Sequence, residues 1–291
     1  MGCRAPTGQR RSVGVLRSSG CRGSMTGEFT RVPLAEIRAR LEVASSSQER
    51  ERIAAVLLRD PRSGARSLGA RMDRRERARR AERDRLLRFF SRRERLLQSG
   101  AKFVAGVDEV GVGPLAGPLV AAAVIFPREV EFEALSGLDD SKRLSRKLRE
   151  ALDLEIRGQA SAICVAEVSS TDVDRLNPSR ASLAAMKRAI SGLELQPEHV
   201  LVDARTIPDL DVPQTALIRG DSLDASIAAA SIVAKVYRDA LMFRLDERYP
   251  GYGFGRHMGY GTREHLAALD RLGPCPAHRR SFAPVSRALA R

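Results

Sequence analysis

Leu119–Phe126 reads LVAAAVIF, a near-continuous apolar run. It lacks the alternation of a half-exposed strand and is what a strand covered on both faces requires. Such a strand implies a sheet with helices on either side. The neighbouring segments agree. Lys102–Val107 and Ala160–Val168 are strand candidates, and Val200–Asp203 and Thr215–Ile218 are shorter ones. Helical spacing recurs over Leu144–Leu154, Leu176–Gly192, Ser226–Tyr249 and Thr262–Leu272, with Pro250-Gly251 as a stop. Strands followed by helices over residues 101–285 predict one α/β domain.

The first third of the chain is different in kind. Of the net +14, all lies in residues 1–100, which hold 25 Lys+Arg against 11 Asp+Glu; the remaining residues hold 25 of each. This pattern predicts a basic module beside a neutral globular body. Nucleic acid is the commonest partner of such a module, because neutralising phosphates releases counterions. An anionic membrane surface is the weaker alternative, and a solvated Arg-rich helix face the plain one. Residues 1–24 carry five Arg, no acid and many Gly and Ser, the composition of a disordered tail, and Met25 is an alternative start. Met-Gly-Cys opens the chain, but Pro6 stands where N-myristoylation needs Ser or Thr. Residues 33–58 read as helical from Leu34, Ile37, Leu41 and Ile53, Val56, Leu57; Asp60-Pro61 and Ser63-Gly64 punctuate. Residues 71–98 form a second helical stretch, ended by Ser99-Gly100. The expected organisation is therefore a basic tail over 1–30, a basic helical extension over 31–98, the α/β domain over 101–285 and a short tail over 286–291.

At 43% apolar residues the chain can bury a core, which excludes whole-chain disorder. It has no apolar run near the roughly 20 residues of a membrane span. Cys3, Cys21, Cys164 and Cys275 are scattered without a Cys-x-x-Cys pair, against a disulfide scaffold or a structural zinc site. With no secretory signal either, a cytoplasmic protein is expected.

The chemistry-bearing segment is Ala105–Pro118, AGVDEVGVGPLAGP. Asp108 and Glu109 lie where an apolar strand gives way to a glycine-rich loop, and should be exposed at the end of the sheet. Asp203 closes Val200–Asp203, and Asp221 follows Thr215–Gly220. A single Asp at a strand end is more often a turn or cap. Four acids converging from strand ends would repel one another, and divalent cations would offset that repulsion. All-oxygen ligation favours Mg2+ or Mn2+ over zinc, and such clusters serve two-metal phosphoryl transfer.

Val107-Asp-Glu-Val-Gly, Gly113-Pro-Leu-Ala-Gly-Pro, Asp140-Ser-Lys, Val202-Asp, Gly220-Asp, Ser226–Lys235, Gly259-Tyr-Gly-Thr and His278-Arg-Arg-Ser-Phe together resemble bacterial ribonuclease HII, over residues 101–285 and in family order. Residues 33–98 resemble, more loosely, the N-terminal extension of that enzyme in some Gram-positive bacteria. The resemblance implies a ribonuclease H-like mixed sheet of about five strands flanked by helices. It implies cleavage of the RNA strand of RNA–DNA hybrids, leaving 3′-hydroxyl and 5′-phosphate ends, and nicking 5′ to ribonucleotides embedded in duplex DNA. It implies Asp108, Glu109, Asp203 and Asp221 as metal-binding catalytic carboxylates, one Mg2+ or Mn2+ ion activating water and another stabilising the leaving oxygen. By the same resemblance Tyr260 stacks on a sugar at an RNA–DNA junction, and Lys142 contacts a substrate phosphate. Ser231 and Lys235, one helical turn apart, either face the phosphate groove or support their helix. A monomer is expected, with no clamp-binding contact through Ser286–Arg291.

One departure bears on specificity. The family loop is Gly-Arg-Gly, and here it is Gly111-Val112-Gly113. In the family this loop reads the ribose 2′-hydroxyl, largely through backbone groups; both glycines remain, but valine cannot replace the guanidinium's phosphate contact. Ribonuclease HIII, the sister family, has an uncharged residue there and needs runs of ribonucleotides. The expectation is retained hybrid cleavage with weakened or lost incision at single ribonucleotides. Pro178 also departs from the usual isoleucine, at a helix start where proline is tolerated. Competing readings are a non-catalytic nucleic-acid-binding protein on this fold and another metal nuclease, such as a junction resolvase.

Overall fold

The computed structural model describes residues 32–43 and 46–290. They fall into two compact units that divide between Ala78 and Arg79. The division lies inside one long helix, not at Ser99-Gly100.

The first unit is helical. Helix α1 spans Leu34–Val43 and α2 spans Ser47–Leu58, where a single helix was expected over 33–58. Ser46 caps α2 by accepting the Glu49 amide. Helix α3 runs Ser63–Phe89, so Ser63-Gly64 opens a helix where the sequence reads as punctuation. Asp60-Pro61 does break the chain, and Arg62 closes the break by donating to Asp60. Ile37, Ile53, Leu57, Ala65 and Leu68 form this unit's core. Gly69 permits close packing, since a Cβ there would meet Leu57 and the Leu58 amide at 2.9 Å. Glu76 is buried and accepts from Ser47 and Arg50.

The second unit is the α/β body. Helix α4 is Ser91–Gln98; strands β1 (Val104–Val110), β2 (Leu119–Ile125), β3 (Ala162–Val168), β4 (His199–Asp203) and β5 (Gln214–Leu217) form one sheet in the order β3-β2-β1-β4-β5. The β1–β2 and β2–β3 pairs are antiparallel, and the β1–β4 and β4–β5 pairs parallel. Every residue of β2 is buried. Val120, Ala122 and Val124 face helix α8 (Ala225–Arg248) and α5 (Arg146–Gln159), while Leu119, Ala121, Ala123 and Ile125 face α7 (Pro178–Ser191). The apolar run is thus a centre strand with a core on each side. Helix α8 lies directly on β1 at Gly106, where a Cβ would fall 2.1 Å from the Ser226 carbonyl carbon. That approach tolerates only glycine.

The helix expected over Leu176–Gly192 is present as α7, and a further short helix, α6 (Ser170–Leu176), precedes it. Asn177 separates them at φ 68 and caps α7 through its side chain, with Pro178 in the first turn. A left-handed residue followed by proline cannot continue a helix. The chain ends in α9 (Phe254–His257), α10 (Arg263–Leu272) and α11 (Ala283–Leu289). Residues 286–289, read as tail, belong to α11. The expected tail over 1–30 lies outside the described residues. Among the described residues no helix is long and apolar enough to cross a membrane.

Candidate active site

The site is built from strand ends. In the parallel β1–β4 pair Val107 is level with Val202, so the next residue in each strand, Asp108 and Asp203, reach the same end side by side. Asp203 pairs in register with Leu217 of β5, and Asp221 follows in a short 3-10 turn over Gly220–Ser222. The Gly220 amide donates to Asp203 Oδ1 at 2.6 Å. The turn that carries Asp221 is therefore tied to the Asp203 carboxylate by a backbone amide.

Side-chain alternation sends Asp108 and Glu109 to opposite faces of β1. Asp108 faces α8 and Ser231, whose hydroxyl favours its ionised form; the Glu109 amide donates to Asp108 Oδ1 at 2.7 Å. Glu109 faces α7 and Ser182, whose hydroxyl favours its ionised form. Asp108 is buried and Glu109 half-buried, not exposed as the sequence reading had them, and Asp221 is buried as well. Helices α7 and α8 close over the strand ends from both sides.

Burial therefore dominates the electrostatics. It pushes the Asp108 carboxyl well above its usual range, with Glu109 and Asp203 adding to the rise. Burial likewise raises Glu109, reinforced by Asp203 and opposed by Ser182 and Arg205. Burial raises Asp221, partly offset by Lys142, while Asp140 and Asp203 push it further up. Carboxyls that strain against ionisation in one place are a mark of functional sites.

Lys142 Nζ stands 3.4 Å from Asp221 Oδ2. Burial alone would lower this ammonium, but Asp221, Asp108 and Asp140 together hold it above its usual value. Its neighbour Ser141 is buried, and its hydroxyl lies 2.9 Å from that of Ser231. The Asp140-Ser-Lys segment is thus pinned through Ser231 to the site. Lys235 is not brought to the carboxylates: its Nζ pairs with Asp239 Oδ1 at 2.7 Å, and Arg149 stands on the other oxygen of that carboxylate.

The glycine-rich loop and the tyrosine turn are stitched together. Leu115 donates its amide to Gly259 O at 2.8 Å, and Gly117 to Ala277 O at 2.9 Å. Gly259 has φ +79, and a Cβ there would sit 2.3 Å from Ala116 O. Tyr260 is 44% exposed, and its ring edge lies 4.0 Å from where a Cβ on Gly113 would be. Val112 is half-buried and packs toward the α7 core. Sequence reasoning missed Ser182, Arg205, Ser141, Arg238 and Arg279. Only Ser141 and Arg279 lie in motifs that could have flagged them.

The donor set suits a hard divalent cation. It is all carboxylate, and Glu109 Oε2 is buried without a hydrogen-bond partner among the described residues. As the side chains stand, no group of three or more His, Cys, Asp or Glu among the described residues is placed to hold a metal ion by itself. A cation here would draw on substrate phosphate oxygens, as Mg2+ sites commonly do.

Buried carboxylates converging on one end of a five-stranded mixed sheet, beneath a glycine loop and an exposed tyrosine, define a nuclease of the ribonuclease H-like fold. The ribonuclease HII family model matches residues 105–285. The ribonuclease HII of Anaeromyxobacter sp. (strain Fw109-5) is 48% identical over 262 residues, 90% of this chain and 82% of the relative. That of Geobacillus thermodenitrificans is 50% identical over 80% of this chain and 89% of its own. Among solved structures, the ribonuclease H2 of Pyrococcus horikoshii superposes with TM-score 0.56 at 25% identity, covering 64% of this chain and 96% of that one. The ribonuclease HII of Archaeoglobus fulgidus, solved in complex with PCNA, gives TM-score 0.53 at 30% identity over 62% and 95%. The chain belongs to the ribonuclease HII family, and is a metal-dependent endoribonuclease acting on the RNA of RNA–DNA hybrids.

Proposed function

We propose that the chain hydrolyses the RNA strand of hybrids to 3′-hydroxyl and 5′-phosphate ends, using Asp108, Glu109, Asp203 and Asp221, and incises single embedded ribonucleotides weakly. The observation that carries this is the convergence of the four carboxylates beside the Gly111–Gly113 loop and Tyr260. The carboxylates would hold Mg2+ or Mn2+, which supplies Lewis acidity to the phosphate and an activated water. Ser231 and Ser182 stand beside Asp108 and Glu109 on opposite faces of β1 and favour their charged forms. Gly220 fixes Asp203. Lys142 is near enough to Asp221 to neutralise it in the free protein, and its exposed ammonium is free to swing to a phosphate. Tyr260 offers a ring for stacking on a sugar. Val112 supplies no charge at the loop, which supports the weaker incision of isolated ribonucleotides, where fewer contacts are available.

The test is cleavage, with Mg2+ and with Mn2+, of a uniform RNA–DNA hybrid and of duplex DNA carrying one ribonucleotide. Hybrid cleavage well above single-site incision is the expected result. Equal incision of both would overturn the specificity reading. Failure on both in either metal would overturn catalysis and favour a nucleic-acid-binding role.

A further inference from the structure

Two guanidinium groups lie beneath the Gly111–Pro118 loop. Arg238 and Arg279 are fully buried, and neither has a carboxylate within ion-pair distance among the described residues. They are spent on carbonyl oxygens instead. Arg279 Nη2 donates to Gly111 O at 2.6 Å and Nη1 to Val112 O at 2.8 Å. Its Nε and Nη2 both reach Gly117 O, at 3.1 and 3.0 Å. Arg238 donates to Pro118 O, Ala116 O and Met258 O at 2.9, 3.3 and 3.1 Å.

The peptide geometry then decides what the loop presents. All described peptide bonds are trans. In a trans peptide the N–H points opposite to the C=O. The Gly111 and Val112 carbonyls point inward to Arg279, so the Val112 and Gly113 amides point outward. Neither amide donates to a protein acceptor among the described residues. Gly113 is exposed and borders the Tyr260 ring. The clamp also explains Gly111, where φ is +87 and a Cβ would sit 2.2 Å from Arg238 Nε. A buried cation with three planar contacts is a rigid support, since guanidinium presents five donors in a fixed fork.

We propose that Arg279 is a positioning residue: by holding the Gly111 and Val112 carbonyls, it fixes the Val112 and Gly113 amides outward in the loop through which the resembled family reads the ribose 2′-hydroxyl. The 2′-hydroxyl is the one acceptor at that point that DNA lacks. Arg238 secures the far end of the loop and the turn before Tyr260, so loop and tyrosine move as one body. The inference rests on the hybrid-cleaving reading above and adds the residue that imposes the discrimination.

The experiment measures affinity for a hybrid and for a DNA duplex of the same sequence, without divalent cation, in the unaltered chain, Arg279→Lys and Arg279→Met. Hybrid cleavage by the unaltered chain is run in parallel, and its absence would count against the function reading alone. The expected result is that Arg279→Met lowers the preference for hybrid about tenfold, the worth of one hydrogen bond, with DNA affinity unchanged. Arg279→Lys, with fewer donors, should fall between. A merely structural role would lower both affinities together. A folded Arg279→Met with its preference intact would overturn the proposal. The amide resonances of Val112 and Gly113 in the unaltered chain give a second reading that needs no variant to fold. They should move downfield on titration with hybrid and not with DNA, and equal response to both would also overturn it.

Discussion

The amide of Gly220 donates to the carboxylate of Asp203 at 2.6 Å, so the turn that carries Asp221 is hung on the side chain of another acid. The contact makes Asp203 both a charge and a fastener. Asp203→Asn keeps an oxygen for the Gly220 amide and removes the charge. It should leave the melting temperature near the unaltered value while hybrid cleavage falls at least about 100-fold. Asp203→Ala should lose the fastener too, with a stability loss on the order of 1–3 kcal/mol. Thermal melts alongside a cleavage assay separate the two effects.

Val112 is half-buried against the α7 core. Its side chain leaves the loop without charge, although Arg279 still fixes the loop backbone. Val112→Arg should therefore raise incision at a single embedded ribonucleotide relative to hybrid cleavage. Turning the longer side chain to solvent should cost about 1 kcal/mol of packing. Rates on the two substrates, measured side by side, check this; an unchanged ratio would remove Val112 from the specificity account.

These two residues mark the limits of the sequence. The sheet's centre was legible because LVAAAVIF can only be covered on both faces, and its residues do alternate between two cores. The acids were legible as strand-end residues. Their burial was not, because it depends on α7 and α8 closing over the strand ends. Helix α6 was hidden because its seven residues are too few for helical spacing to show before Asn177 ends it. Arg238 and Arg279 were hidden for a different reason. Arginine is almost never fully buried, so nothing in a linear reading turns it inward. Lys235 was left open between the phosphate groove and support of its helix, and its Nζ pairs with Asp239 one turn further along that helix.

Beneath the Tyr260 turn three imidazoles pack together, two of them joined by a hydrogen bond. His265 Nδ1 donates to Tyr260 O at 2.9 Å, which leaves His265 Nε2 to accept from His278 Nε2 at 3.1 Å. His278 Nδ1 then accepts the Cys275 amide, and His257, stacked on His265, donates to Tyr252 O and accepts the Gly259 amide. His265 and His278 each have one donor and one acceptor in use, so both are neutral. Burial, with repulsion from His265 and His257, lowers His278 from 6.5 to about 4; burial lowers His265 as well. A histidine depressed on folding binds fewer protons folded than unfolded. Stability is then full above about 6.5 and is lost as pH falls toward about 4. The loss should be on the order of 2–3 kcal/mol, and His278→Gln should flatten the slope of melting temperature against pH in that window.

Tyr260 is held by backbone on both sides and leaves its ring partly exposed. Stacking needs the ring and not the hydroxyl. Tyr260→Phe should keep hybrid affinity within about twofold, whereas Tyr260→Ala should weaken it about 10–100-fold, the usual worth of one stacked group. Neither change should alter the melting temperature much, because the turn is fixed by Gly259 and His265.

Lys142 faces two tasks that oppose each other. Its Nζ is 3.4 Å from Asp221, and the side chain is 77% exposed, so the pair adds little stability. As a cation beside a carboxylate it competes with Mg2+ or Mn2+ for the same charge. As an exposed ammonium it is also available to a phosphate. Lys142→Gln should therefore tighten divalent-cation binding in the free protein and weaken hybrid binding. Calorimetric titration with Mn2+ gives the first quantity and fluorescence anisotropy with labelled hybrid the second. Salt separates the causes further. Loss of one phosphate contact should reduce the slope of log affinity against log salt by about one. If Lys142→Gln weakened both bindings together with an unchanged salt slope, Lys142 would be a support for its loop and not a phosphate contact.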